Sequence, residues 1–277
     1  MAPIPRSEPR GPMDETTKTE CRDLAMALAD AARGETLRYF RQRDLGADNK
    51  RAEGFDPVTE GDRAAEAVMR DLIETRRPDD GILGEEFPPK QSTSGLTWVL
   101  DPIDGTRGYI SGTPTWGTLI ALHNGTKPVF GVIDQPYIDE RFWGGFGAAE
   151  VCGPRGTVSL ATSSVKSLDD AIIFTTFPEV GSSDEAAGFS AVARHCKLTR
   201  YGMDCYAYAL LAAGHIELVV EAGLQAYDVQ GPIAVIEAAG GVVTDWTGGP
   251  ADQGGRVLAA ANSDIHNAAL AILKDIP

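Results

Sequence analysis

Strand-like and helix-like segments alternate through the second half of this chain, and that order leaves few ways to pack it. "DAIIFTTF" reads as a strand, residues 184 to 195 as a helix, and "KLTRYG" as another strand. "DCYAYALLAAG" has helical character and stops at Gly214; "HIELVVEA" is a strand with an unbroken apolar centre. A helix from Val229 to Ala239 ends at Gly240-Gly241, a pair suited to a left-handed helix stop. "GVVTDW" and "RVLAAA" read as strands, and residues 263 to 274 as a closing helix. Apolar strands and apolar helix faces must both be buried, so this order predicts layered α/β packing.

The first half is organised differently: helix, helix, then sheet. Residues 14 to 42 look helical, with Leu24, Leu28 and Ala31 on one face. Ala65, Val68, Met69, Leu72 and Ile73 follow the spacing of an amphipathic helix. "GILGEE" after a Pro-Asp-Asp turn is a short strand, followed by "LTWVLD", "WGTLIALH" and "PVFGVID" with Gly and Pro punctuation. We expect an N-terminal arm over residues 1–15, an α+β subdomain over 16–157 and an α/β subdomain over 158–277. A chain of 277 residues is long enough to bury a core of that size.

Composition narrows the functional classes. A formal net charge of −15 argues against a nucleic-acid partner, which needs a basic face. No apolar run is long enough to span a bilayer. The N-terminal "MAPIPRSEPRGPMDETT" has four prolines and no apolar centre, so it is not read as a secretory signal. Cys21, Cys152, Cys196 and Cys205 fit no zinc or CxxC spacing and read as reduced thiols of a cytoplasmic protein. The four histidines are equally scattered.

Chemistry gathers in "VLDPIDGT". Asp101 falls at the carboxyl end of a buried strand, where ligands bind in α/β sheets. Pro102 and Gly105 force a turn, and Thr106-Arg107 can open a short helix. Both carboxylates, Asp101 and Asp104, and the Ile103 carbonyl can then point at one spot. Such hard oxygens suit Mg²⁺, and the backbone N–H groups of Gly105 and Thr106 can hold a phosphate oxygen. Read alone, such a turn is more often a solvated acidic loop. The haloacid-dehalogenase nucleophile motif also ends in "DGT", but its aspartates are separated by one residue rather than two. Other acids bear on the choice: Glu85 and Glu86 in "LGEE", Asp56, Thr59, Glu60 and Asp62 in "FDPVTEGD", and Asp228 at the start of an apolar helix. Thr59, Asp62 and Asp228 are each also explained as helix-capping residues.

In this order and spacing, "GEE", "DPIDGT" and the late aromatic-Asp before "AGG" resemble the inositol monophosphatase superfamily over residues 20 to 275. Members are Mg²⁺-dependent, lithium-sensitive phosphomonoesterases with an αβαβα sandwich fold, commonly homodimers, acting on small-molecule phosphate esters. The resemblance implies that Glu85, Asp101, the Ile103 carbonyl, Asp104 and Asp228 ligate two or three Mg²⁺ ions. It implies that Thr106, hydrogen-bonded to Asp56, orients the attacking water, with Glu86 and Asp62 supporting the site. Four carboxylates and a phosphate dianion carry about six negative charges, which ions in that number would neutralise.

Three stretches, "DPIDGTRGYISGTPTWGTLIAL", "FGVIDQPYIDERFWGG" and "GMDCYAYALLAAGHIELVVEAGLQAYD", resemble the histidinol-phosphate phosphatase branch. The inositol branch typically has Thr-Asn-Phe where this chain has Arg107-Gly108-Tyr109, and Trp where it has Tyr227. The implied substrate is L-histidinol phosphate; inositol 1-phosphate or a range of sugar phosphates is the alternative. Histidinol carries an ammonium and an imidazole, so its pocket should offer carboxylates. Asp204 and Glu221 are the candidates, Asp204 being equally readable as a plain helix N-cap. Arg107 either holds phosphate or pairs at the rim. Gly61 and Gln230 stand where relatives usually have alanine, and Gln230 could reach the pocket.

Overall fold

The computed structural model describes residues 13–42, 47–49, 57–179 and 181–277. Helices α1 (Glu15–Tyr39) and α2 (Glu60–Arg76) form an outer layer. Asp14 caps α1 by accepting from the Thr17 N–H at 2.7 Å. The buried stripe of α1 runs through Leu24, Ala25, Leu28, Ala29 and Ala32. Ala31, expected on that face, is only half-buried. The stripe advances by steps of three and four, which carry it from Leu28 to Ala32 instead. Between these helices, β1 (Ala47–Asn49) pairs antiparallel with β2 (Pro57–Thr59).

The second layer is a seven-stranded sheet in sequential order: β3 (Gly81–Gly84), β4 (Thr97–Asp104), β5 (Gly117–His123), β6 (Pro128–Gln135), β7 (Glu140–Gly145), β8 (Ala148–Gly153) and β9 (Gly156–Ser159). Only β3 and β4 run parallel; every later neighbour is antiparallel. The sequence pattern missed β7 to β9. Their glycines and exposed positions break the alternation that marks a half-buried strand, and ladder bonds passed from β6 to β7, β8 and β9 in turn supply the order that side chains do not. A short helix, α3 (Thr106–Ser111), follows β4.

Beneath this sheet lie α5 (Cys205–Ala212) and α6 (Ala226–Ala238), and beneath them a five-stranded sheet. Its strands are β10 (Ile172–Thr175), β11 (Leu198–Tyr201), β12 (Leu218–Gln225), β13 (Val242–Thr244) and β14 (Gly254–Ala260), in the order β11-β10-β12-β14-β13. Helices α4 (Ser183–Ala193) and α7 (Ser263–Leu273) cover its far face. The result is the layered αβαβα sandwich. Each gap holds its own apolar cluster: Leu28, Met69 and Trp98 in the first, Ile133, Leu211 and Ile233 in the second, Phe189, Trp246 and Ile265 in the third. Among the described residues, no helix is long and apolar enough to cross a membrane.

α6 is the element that joins the two sheets. It seats on the backbone of the first: a Cβ on Gly131 would lie 2.3 Å from the Gly231 carbonyl oxygen. That contact fixes the helix against β6, and its first turn projects towards the end of β4. Facing alternates along β4: Trp98 and Leu100 pack towards α1 and α2, while Val99 packs against Tyr227 of α6. Asp101 therefore begins on the α6 side.

Candidate metal centre and substrate cavity

Two aspartates three residues apart on a regular strand would point to opposite faces. Here the β4–β5 register shifts: Asp101 pairs with Leu119 but Asp104 with Gly117, so β4 carries one extra residue. This bulge re-aims Asp104 towards the face Asp101 already occupies. Pro102 costs the ladder nothing there, because the bulge leaves a position unpaired. The turn is anchored on its other side, where the Ile103 side chain is buried with Phe40, Tyr109 and Trp116. The Ile103 N–H donates to Asp101 Oδ1 at 3.1 Å, and the Ile103 carbonyl accepts from the Thr106 hydroxyl at 3.1 Å. A carbonyl has two lone pairs, so that bond leaves it able to ligate a cation as well. Asp56, the expected partner of Thr106, lies outside the described residues.

Asp228 completes the group. α6 begins three residues earlier than the sequence pattern indicates, at Ala226, so Asp228 is not its N-cap but the third residue of its first turn, closing a capping box with Gln225. Its Oδ2 accepts from the Gln225 N–H at 2.7 Å. Carboxylate oxygens of Asp101, Asp104 and Asp228 all lie within 4.8 Å of one another. Burial, reinforced by the charges of Glu85, Asp104 and Asp228, holds the Asp101 carboxyl well above the usual range. Burial does the same to Asp104, with Asp204 and Asp228 next in effect. Three hard oxygen donors whose negative charges crowd one spot suit a divalent cation, which would relieve the repulsion.

Glu85 approaches from β3. Gly84 pairs with Leu100, so Glu85 leaves its strand beside Asp101. The acid that fixes this turn is Glu66 of α2, which sequence reasoning missed. Its carboxylate accepts from the Glu86 N–H at 2.7 Å and from Arg70 Nε at 2.7 Å. The available signal was an acid within a buried stripe, beside Ala65 and one turn from Met69. Asp62, read as a supporting residue, closes a capping box with Thr59, whose N–H donates to it at 2.8 Å. Its other oxygen, Oδ1, is buried without a partner, and burial pushes its carboxyl up to about 7.

A cavity of about 270 Å³ opens beside the acidic group. Asp104, Asp228, Gly105 and Thr106 line one side; Arg107, Asp204 and Glu221 line the rest. Asp204 occupies the N-cap position of α5, yet its side chain makes no capping bond. Its backbone is strained into φ 46°, ψ −141°, and the carboxylate turns to accept from the Thr115 hydroxyl at 3.2 Å. The plain N-cap reading is thereby overturned. The same turn aims the Cys205 N–H at Asp104 Oδ2, 2.6 Å away. The carboxylate packs against Gly105 (φ +84°), where a Cβ would meet it at 2.7 Å. Glu221 accepts from both the N–H and the hydroxyl of Thr176, at 2.6 and 2.8 Å, and burial pushes its carboxyl up to about 7.

Arg107 lies over the Phe177 ring at 5.0 Å, at the mouth of the cavity. Phe177, Thr176 and Tyr208 were not singled out in the sequence; no local spacing distinguishes them from core or loop residues. Gln230 does not reach the cavity. It follows Asp228 by two residues, about 200° around the helix, and its Nε2 donates to the Asp252 carbonyl at 2.8 Å.

The family model of the inositol monophosphatases matches residues 17–277. The chain is 41% identical over 260 residues to the bifunctional phosphatase IMPL2, chloroplastic, of Arabidopsis thaliana, covering 90% of this chain and 73% of that protein. It is 34% identical to the histidinol-phosphatase of Streptomyces coelicolor, covering 90% and 95%. An inositol monophosphatase structure from Zymomonas mobilis superposes with a TM-score of 0.82 at 37% identity, covering 95% of this chain and all of that one. With the sandwich and the three-aspartate group in place, the chain belongs to the inositol monophosphatase family, and it is a phosphoric monoester hydrolase.

Proposed function

We propose that this enzyme hydrolyses L-histidinol phosphate to L-histidinol and inorganic phosphate, with Mg²⁺ as its cofactor. The observation that carries the substrate reading is the half-buried, strained Asp204, which lines the cavity together with the buried Glu221. Each is close enough for the charge of Asp204 to raise Glu221. Two carboxylates on the alcohol side suit an alcohol bearing an ammonium and an imidazole, and offer a neutral polyol far less.

Asp101, Asp104, Asp228, Glu85 and the Ile103 carbonyl are the groups that would hold two or three Mg²⁺ ions. Bound there, Mg²⁺ supplies an activated water and neutralises charge on the phosphoryl group. Gly105, Thr106 and Arg107 are read as the phosphate contacts, and the Thr106 hydroxyl as the group that orients the attacking water. Burial and the neighbouring aspartates hold the Cys205 thiol well above its ordinary range, so it stays protonated and water remains the nucleophile. All four cysteines are free thiols, which supports a reducing, cytoplasmic setting, and we read the chain as a homodimer.

The second reading, an inositol 1-phosphate or sugar-phosphate phosphatase, is favoured by the likeness to the Zymomonas mobilis structure. Phosphate release from histidinol phosphate, inositol 1-phosphate and an aryl phosphate, with Mg²⁺ and after EDTA, separates the two. The proposal expects histidinol phosphate to lead and EDTA to abolish all three. Preference for inositol 1-phosphate would overturn the substrate; activity surviving thorough metal removal would overturn the mechanism.

A further inference from the structure

α5 carries two tyrosines near its start, and their hydroxyls have different fates. Tyr206 donates to Glu140 Oε2 at 2.6 Å. Tyr208 is buried, and its hydroxyl has no hydrogen-bond partner at all. A buried hydroxyl left unpaired is costly, so such groups are rare away from places where something else supplies the partner. Tyr208 is at such a place. It lies in the first turn of α5, just beyond Asp204, and it lines the same cavity.

Its neighbours define what it can bind. Glu221, Asp104 and Asp228 all lie near enough to act on the phenol electrostatically, and together with burial they hold it well above its ordinary range. A tyrosine hydroxyl is protonated at neutral pH, so this one is available as a donor. Tyr208 comes from α5, which Asp204 opens, and α5 packs on β12, which carries Glu221, so the phenol shares the wall of those two carboxylates. An ammonium on the alcohol is served by Glu221 and Asp204 in their ionised forms, and an ionised carboxylate only accepts. An uncharged acceptor on the same alcohol has no donor among those two carboxylates.

We propose that the Tyr208 hydroxyl is a specificity-determining contact that donates to a ring nitrogen of the substrate's imidazole, with the carboxylates of Glu221 and Asp204 taking the ammonium. This rests on the histidinol phosphate reading and adds to it the recognition of the neutral face of the ring. The alcohol subsite then pairs acceptors with one donor, which a polyol or a simple amine would not use together.

The test is Tyr208→Phe, which removes one oxygen and keeps the ring. Product inhibition by histidinol and by inorganic phosphate is measured separately, alongside kcat/KM for histidinol phosphate and inositol 1-phosphate. The expected result is a roughly tenfold weaker inhibition by histidinol and a similar rise in KM for histidinol phosphate, the size of one lost hydrogen bond to a ligand. Inhibition by phosphate stays within twofold, and Tm is equal or higher because no protein bond is lost. Inhibition by histidinol within twofold of the parent overturns the proposal while leaving the substrate reading intact. Weaker inhibition by phosphate instead assigns Tyr208 to the other end of the site and also overturns it. A parent enzyme that neither prefers histidinol phosphate nor is inhibited by histidinol overturns the substrate reading and this proposal together.

Discussion

The two walls of the cavity are built in different ways. On the wall from the seven-stranded sheet, a bulge in β4 and the first turn of α6 bring Asp101, Asp104 and Asp228 within 4.8 Å of one another. On the opposite wall, Asp204, Tyr208 and Glu221 project from α5 and β12, held by a strained backbone and by Thr176. The first wall is a set of like donors aimed at one point, suited to a cation. The second mixes acceptors with a donor, suited to choosing an alcohol. The contrast leads us to expect that chemistry and selectivity respond to different substitutions.

The largest effect should come from the first wall. Asp101→Asn keeps the shape and removes a charge at the centre of the aspartate group. Turnover with Mg²⁺ should fall by more than the roughly 10- to 100-fold typical of residues that merely support a metal ligand. A loss under tenfold on every substrate would show that Asp101 is not at the centre. Glu66→Gln comes next. It disturbs the turn carrying Glu85 through the Glu86 N–H and Arg70, so Mg²⁺ affinity should fall about 10- to 100-fold at near-constant preference among esters. A change in substrate preference instead would blur the division between the walls.

Glu221→Gln tests the second wall by pH. Folding raises this acid from 4.5 to about 7, so the folded protein holds the proton where the unfolded chain has lost it. Its contribution therefore favours folding below about pH 4.5 and is lost as pH rises towards 7, on the order of 3 kcal/mol in all. The glutamine variant should gain Tm on the parent as pH goes from 5 to 8; a constant difference would contradict the shift. Its KM for histidinol phosphate should rise. The smallest effect belongs to Gln230→Leu, which faces away from the cavity: kcat/KM ratios within twofold, and a stability change of about 1 kcal/mol for the bond to Asp252, read by urea unfolding.

The two walls were also unequally legible in sequence. "DPIDGT" packs three proposed ligands into one turn, so local spacing sufficed, and α2 announced itself by its apolar period. Asp228 was found, but its place within α6 was not, because β12 and α6 meet without a turn residue between them. Gly223, with φ 81°, lets β12 run past its apolar centre through a register shift to Gln225. The second wall depends on contacts between distant segments. Whether Asp204 caps α5 or bends into the cavity is decided by Thr115 and Gly105, about a hundred residues away. Nothing in "DCYAY" distinguishes the partnered Tyr206 from the unpartnered Tyr208.

The division is tested most directly by Asp204→Asn, assayed under saturating Mg²⁺ for kcat/KM on histidinol phosphate and on inositol 1-phosphate. The parent should favour histidinol phosphate by about 100-fold or more, as expected where a charged group is matched. The variant should lose at least about tenfold of that ratio through KM, with kcat little changed on either ester. Equal losses on both substrates, or a parent ratio near one, would contradict the account.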